Sequence, residues 1–384
     1  MRTGIIAAVV VALTAMAWPA LAQQTAAYDP KDFKRVVFKT RYEREVQFRA
    51  AAIQVAWSAE NLCDATTEIE PFVLWSLGTV GRRLDADDLA LYTEVTGMDE
   101  QWRVAWLDEG APDDLHVGDV VVAINGRELP QGGTRFDFSA ILRGSSPLSN
   151  SEQPFWDVML PARDEAKAGK PMTLTLKGGR TLEVDTQTGC AGSVTATGFD
   201  HEPDRFERNG AVRVKIPANA MLEARARDEF RWLAAFGTYF QASEKALGKA
   251  RDSASVSTAF VVGKILAAAV PGAGMLLTAA EQQAERAIAV DSVVGNADLF
   301  ANEVVAAMGG DASAGWRLNE RFVELGLKVD ALQMDAFRLS NAKEHAARLA
   351  DLRAAQARAA AEAEAAERRA QEEARRQPLV VPVR

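Results

Sequence analysis

Histidine occurs three times in 384 residues and cysteine twice, and each shortage closes off a class of chemistry. His116, His201 and His345 lie in separate segments, none paired with another at metal-ligand spacing, so each reads most simply as a surface or capping residue. Cys63 and Cys190 have no histidine near them in sequence, which leaves no cysteine–histidine nucleophile to read. The chain also lacks a glycine-rich phosphate loop and a G-x-S-x-G element. Positive charge is the minority sign: 44 Lys and Arg against 53 Asp and Glu give a net charge of -9. That balance disfavours nucleic acid and anionic membrane surfaces, because both reward clustered basic side chains.

The opening residues are of a different kind. Arg2 precedes an apolar run from Ile5 to about Trp18, and Ala20-Leu21-Ala22 then offers small residues at signal-peptidase spacing. The expectation is an export signal over residues 1–22, cleaved after Ala22, with a bacterial periplasm as the address. The run is short for a bilayer span, and no cysteine stands at the cleavage point to carry a lipid; an uncleaved anchor is the alternative. In an oxidising compartment Cys63 and Cys190 are candidates for a disulfide. Two buried free thiols are the other reading.

Four further segments follow. Residues 23–64 read as helix, with Val46, Ala50, Ile53 and Trp57 on one apolar stripe. Residues 65–188 read as short strands and tight turns: Trp102 to Trp106, Val120 to Ile124 closed by Asn125-Gly126, and a hairpin in which Leu174 and Leu176 face Leu182 and Val184 across Gly178-Gly179. After Cys190 the helical period takes over, giving a helical segment over 189–340. Within it, residues 256–280 are strongly apolar but hold Lys264 and the break Pro271-Gly272; this favours a buried helical hairpin over a membrane span. Residues 341–384 are Ala/Glu/Arg-rich, and the i,i+4 pairs Glu364–Arg368 and Glu372–Arg376 support a solvated helix ending before Pro378. The predicted fold class is α+β.

From Val104 to Leu129 the chain resembles the PDZ domain at its most recognisable part. The family's small-residue turn, helix-ending leucine, Gly-Asp pair, apolar strand and Asn-Gly turn fall here on Gly110-Ala111-Pro112, Leu115, Gly118-Asp119, Val120 to Ile124 and Asn125-Gly126. The resemblance implies a half-open β-barrel that binds extended or C-terminal peptide segments by adding them to a sheet edge. It implies a carboxylate-holding loop, for which Leu77-Gly78-Thr79 is the candidate; an ordinary turn glycine is the competing reading. The segment from Arg82 to Gln101 is then an insertion able to cover or reshape the groove.

The helical half is similar, more faintly, to the zinc metallopeptidases of the CAAX prenyl protease family, which occur beside PDZ-like modules in exported proteins. Asn209 to Ile216 corresponds to that family's strand and Asp228-Glu229-Phe230 to the start of its metal helix. Val290-Asp291 matches its Ala-Asp, Gly310-Asp311 its turn, and Trp316 to Phe322 its aromatic helix. The metal ligands do not carry over. The His-Glu-x-x-His positions hold Phe236, Gly237, Thr238, Tyr239 and Phe240, and Ala287 stands where the third ligand belongs. Zinc catalysis needs three N/O ligands and a general base, and these residues supply neither. The expectation is a non-catalytic exported binding or scaffold protein, with no cofactor and with a protein or peptide partner in the cell envelope. A hydrolase built on unrecognised Asp and Glu residues of the helical half is the alternative.

Overall fold

The computed structural model describes residues 29–63, 65–79, 85–131, 153–196, 207–209, 213–242 and 291–376. The export signal, His201, residues 256–280, Ala287 and Val290 lie outside the described residues. The chain divides into two units, 1–43 with 84–97, and 44–83 with 98–384.

The smaller unit is a helix pair, made of the opening turns of α1 (Pro30–Ser58) and of α2 (Ala86–Thr96). Asp85 caps α2 by accepting the Asp88 N–H at 2.8 Å, and Gly97 ends it in the left-handed region at φ +70°, the usual helix stop. Lys34 pairs with Asp88 at 2.6 Å and Arg35 with Glu94 at 3.0 Å, while Phe38 meets Tyr92 edge-on. Helix α2 falls in the segment expected to be an insertion.

The larger unit has two cores. The first is built on a six-stranded sheet of β2 (Phe72–Trp75), β3 (Trp102–Leu107), β4 (Val120–Ile124), β5 (Arg127–Glu128), β6 (Met172–Leu176) and β7 (Thr181–Val184). Its order is β2-β3-β4-β6-β7, with β5 on β4, and every pairing is antiparallel. The β6–β7 hairpin forms in the register its alternation predicts, Leu174 opposite Leu182. Asn125 and Gly126 take φ of 49° and 72°, the positive values a two-residue turn requires. Helix α3 (Gln153–Lys167) closes one face, placing Phe155, Met159 and Ala162 against Trp102, Val104, Ile124 and Leu174. Phe155 stacks on Trp102 with ring centroids 4.4 Å apart. The sequence reading did not anticipate α3: Pro161 stands inside it, a residue that ordinarily breaks a helix by removing a donor.

The second core begins where α1 continues. Phe48, Ala51, Val55 and Ala59 are the most deeply buried there; of the expected stripe, Val46 and Ala50 are buried as well, and Ile53 and Trp57 pack partly buried against the core. Strands continue beyond Cys190, correcting the expected switch to helix at that point. β1 (Thr66–Ile69) pairs antiparallel with β8 (Gln187–Cys190). β9 (Ser193–Ala196) pairs parallel with β11 (Arg213–Ile216), which also takes β10 (Glu207–Asn209). On β9 and β11 lies α5 (Arg227–Ala242), and with it pack α6 (Asp291–Ala307) and α7 (Ala314–Glu324), which in turn meet α4 (Ala218–Glu223) and the start of α8 (Ala336–Arg376). The expected boundary at residue 340 falls inside α8, whose Ala342 and Ala346 are buried. From Ala350 to Glu372 every residue of α8 is exposed. Cys63 and Cys190 are joined as a disulfide, Cα atoms 5.5 Å apart. The described residues are α+β with no closed barrel, and no described helix is long and apolar enough to cross a membrane.

Candidate functional site

Each residue of the β3–β4 signature does local work. Gly118 holds φ +97° while its N–H donates to the Val104 carbonyl at 2.8 Å, a geometry open to glycine because it has no Cβ. The Asp119 carboxylate accepts the His116 N–H at 3.0 Å, and its carbonyl accepts from Val104 at 2.9 Å. Gly110 and Pro112 frame the preceding turn: Ala111 N–H donates to Asp108 and Leu115 N–H to Pro112. Leu115 itself enters the sheet core. Asn125 accepts the Thr173 N–H at 2.7 Å and donates to Glu165 at 2.8 Å. Arg127, then Asn125, hold the Glu165 carboxyl down at about 2.

Leu77, Gly78 and Thr79 form one turn of 3-10 helix directly after β2. The Leu77 N–H donates to the Asp99 carbonyl at 2.9 Å, and the Thr79 N–H to Ser76 at 3.0 Å. A ligand carboxylate at this turn would have to displace bonds the turn already makes.

Directly before that turn the chain offers a different opening. β2 is paired with β3 on one side and stands at the end of the sheet order. A cavity of about 80 Å³ touches Phe72, Val73 and Leu74 in succession. The strand has a bulge between Val73 and Leu74, where its regular alternation of faces is interrupted. The cavity is also lined by Phe155 and Trp156 of α3, Ala52, Ile53 and Ala56 of α1, and Thr238 of α5. A single water needs roughly 10–15 Å³ by the same measure, so the space admits one branched side chain.

A buried ion pair braces this wall. The Arg163 guanidinium donates to both Glu70 carboxylate oxygens, at 2.9 and 2.8 Å, with each side chain under a tenth exposed. The same guanidinium lies over the Trp156 ring, and that of Arg49 over Trp75. The pair ties the lead-in of β2 to α3 across the cavity. Sequence reading missed Glu70, Arg163, Phe155 and Trp156; the i,i+4 spacing of Phe155 and Met159 was the available signal, obscured by Pro161.

The positions that correspond to zinc ligands lie in the second core. Phe236 is fully buried and Phe240 nearly so, their rings 5.4 Å apart and flanked by Trp232 and Tyr239. Gly237 lets α5 approach β9, since a Cβ there would lie 2.5 Å from Val194. Aromatic carbon and a backbone too close to a strand for any side chain do not fit a zinc ion. Among the described residues no group of three His, Cys, Asp or Glu is placed to hold a metal. Other landmarks of the same outline do meet. Asp228 accepts the Asp311 N–H at 2.8 Å and fits against Gly310. Glu229 receives Arg321 at 2.6 Å and the Arg225 and Ala226 amides; burial pushes its carboxyl up, but Arg321 and those amides outweigh it and hold it low. His116 and His345 are far apart in use: the first donates its amide to Asp119, and the second sits 3.3 Å from Glu303.

No protein-family model, curated protein or solved structure matches the chain.

Proposed function

We propose that this chain is an exported, non-catalytic binding protein whose PDZ-like sheet module binds an extended peptide segment, with one of its side chains in the cavity beside β2. The observation that carries this reading is the cavity beside β2, which ends the sheet order among the described residues, lined by residues of α3 and α1. A pocket beside a strand can read one side chain of an extended peptide. The helical half serves as scaffold, a degenerate relative of the zinc-peptidase type. The replacement of its ligand positions by Phe236, Gly237 and Phe240 in a packed core supports that assignment.

The expected ligand places a side chain in the cavity; at the neighbouring turn the Leu77 and Thr79 amides already donate to Asp99 and Ser76. The test is capture from a library of soluble unstructured peptides by the full chain, compared with an Ala52→Trp variant whose indole intrudes on the cavity. Binding that the variant loses by tenfold or more supports the reading; equal capture by both chains removes it. Metal analysis and protease assay of the purified protein test the scaffold half. Stoichiometric zinc with chelator-sensitive cleavage overturns it.

A further inference from the structure

The cavity beside β2 is apolar around most of its wall, yet its polar residues keep hydrogen-bonding capacity in hand. Glu70, Arg163 and Thr238 all line it, and each is more than nine-tenths buried. The Arg163 guanidinium gives Nε and Nη2 to Glu70. Its Nη1 donates to no described residue, and protein does not enclose that nitrogen on every side. For a side chain only 8% exposed, the cavity it lines is where this nitrogen would meet a partner. Each Glu70 oxygen accepts one bond from Arg163, and a carboxylate has about four acceptor positions. The Thr238 hydroxyl donates to the Ala234 carbonyl at 2.9 Å, which leaves its oxygen lone pairs for an incoming donor. Unspent donor hydrogens at Arg163 and unspent acceptors at Glu70 and Thr238 thus stand beside the apolar surfaces of Ile53, Phe72 and Phe155.

We infer that the cavity selects a peptide side chain ending in a primary amide, asparagine or glutamine. This rests on the peptide-binding reading above and names the side chain it takes. A primary amide carries an acceptor oxygen and two N–H donors on one planar group, the complement of Arg163 on one side and of Glu70 and Thr238 on the other. Each competing side chain fails on one count. A carboxylate brings a second negative charge to Glu70, and an ammonium brings a second positive charge to Arg163. The buried pair is neutral as a whole, so either charge enters without a counter-charge. Arg49, the other charged residue of the lining, holds its guanidinium over the Trp75 ring, 4.7 Å from the centroid. An alkyl side chain fills the space but strips water from Nη1 without replacing the lost bond, a loss of about tenfold in affinity. A hydroxyl side chain makes the bonds but leaves most of the space empty.

The experiment captures a degenerate library of short, soluble, unstructured peptides on the full chain and sequences the bound pool. Glutamine or asparagine should be enriched at one position about tenfold over glutamate, aspartate, leucine and methionine. Two variants alter the chemistry of the cavity while nearly keeping its shape. Glu70→Leu with Arg163→Met removes the donor and the carboxylate together, and the preferred residue should pass to leucine or methionine. Thr238→Val leaves the ion pair in place and should lower the amide enrichment severalfold, so it carries the test even where the double variant fails to fold. A pool that favours acidic, basic or alkyl residues, or shows no positional preference, overturns the inference and leaves the peptide reading standing. So does an amide preference that the folded variants leave unchanged. Capture of no peptide at all removes both.

Discussion

Gly315 lies against the indole of Trp232, which occupies the space a Cβ would take. Gly118 has open space around it but holds φ +97°. Gly315→Ala must therefore push on a buried ring, at the upper end of about 1–3 kcal/mol, whereas Gly118→Ala pays only for backbone conformation, about 1–2 kcal/mol. Urea midpoints of the two variants should rank in that order, and the reverse ranking would show that the Trp232 contact yields. Asp298 supplies a different residue-level test. Burial pushes its carboxyl up to about 6, against the pull of Arg338 and with a contribution from Asp335. The folded chain thus holds this proton more tightly than the unfolded chain. The resulting stabilisation is complete below the ordinary value near 3.8 and is lost as pH rises through about 6. Glu229 is held low and acts in the opposite sense, giving stability that is lost on acidification. Subtracting the pH–stability curve of Asp298→Asn from that of the native chain should isolate the fall between pH 4 and 6. A flat difference would reject the assignment. At this scale the sequence was most legible where a turn demands one residue type, as at Gly118, Asn125 and Gly126. It was opaque at Glu70 and Arg163, which are 93 residues apart and ordinary in type.

Among the elements, β2 and α3 are coupled by the Glu70–Arg163 pair. Both charges are buried, so Arg163→Ala leaves a carboxylate without its partner and should cost about 3–5 kcal/mol. A double substitution, Glu70→Leu with Arg163→Met, should recover much of that loss, because removing both charges also removes their desolvation penalty. A double-mutant cycle by chemical denaturation measures the coupling, and additive losses would mean that the two elements are held by apolar packing alone. The hairpins of this sheet were readable because their information is local: alternation on both sides of a glycine turn. Helix α3 was not, because one proline outweighs the apolar spacing around it in any local reading. The parallel pairing of β9 with β11 was also hidden, since a parallel partner is specified by burial and crossover rather than by a turn. The helical aromatic run from Phe236 to Phe240 was legible as core from its spacing alone, and its rings do pack together.

At the scale of the whole chain, the disulfide closes a loop of 127 residues. Reducing it should lower stability by about 2–5 kcal/mol, measured as the shift in denaturation midpoint with and without reductant; no shift would mean that the surrounding core already fixes Cys63 and Cys190. What the sequence could not reveal at this scale is where the chain returns. The Ala191 N–H donates to the Ala65 carbonyl at 2.9 Å, and Thr66 stands opposite Cys190 while Ile69 stands opposite Gln187. The chain leaves the second core and re-enters it through one doorway. The sheet module thus enters and leaves between β1 and β8, while Val55 of α1 and Val194 of β9 share one core. Splicing Glu70 to Thr186 through a two-residue Asn-Gly turn, which also removes α2, should leave a foldable frame with an ordinary β1–β8 hairpin in place of the sheet module, and the same doorway could receive a different binding module.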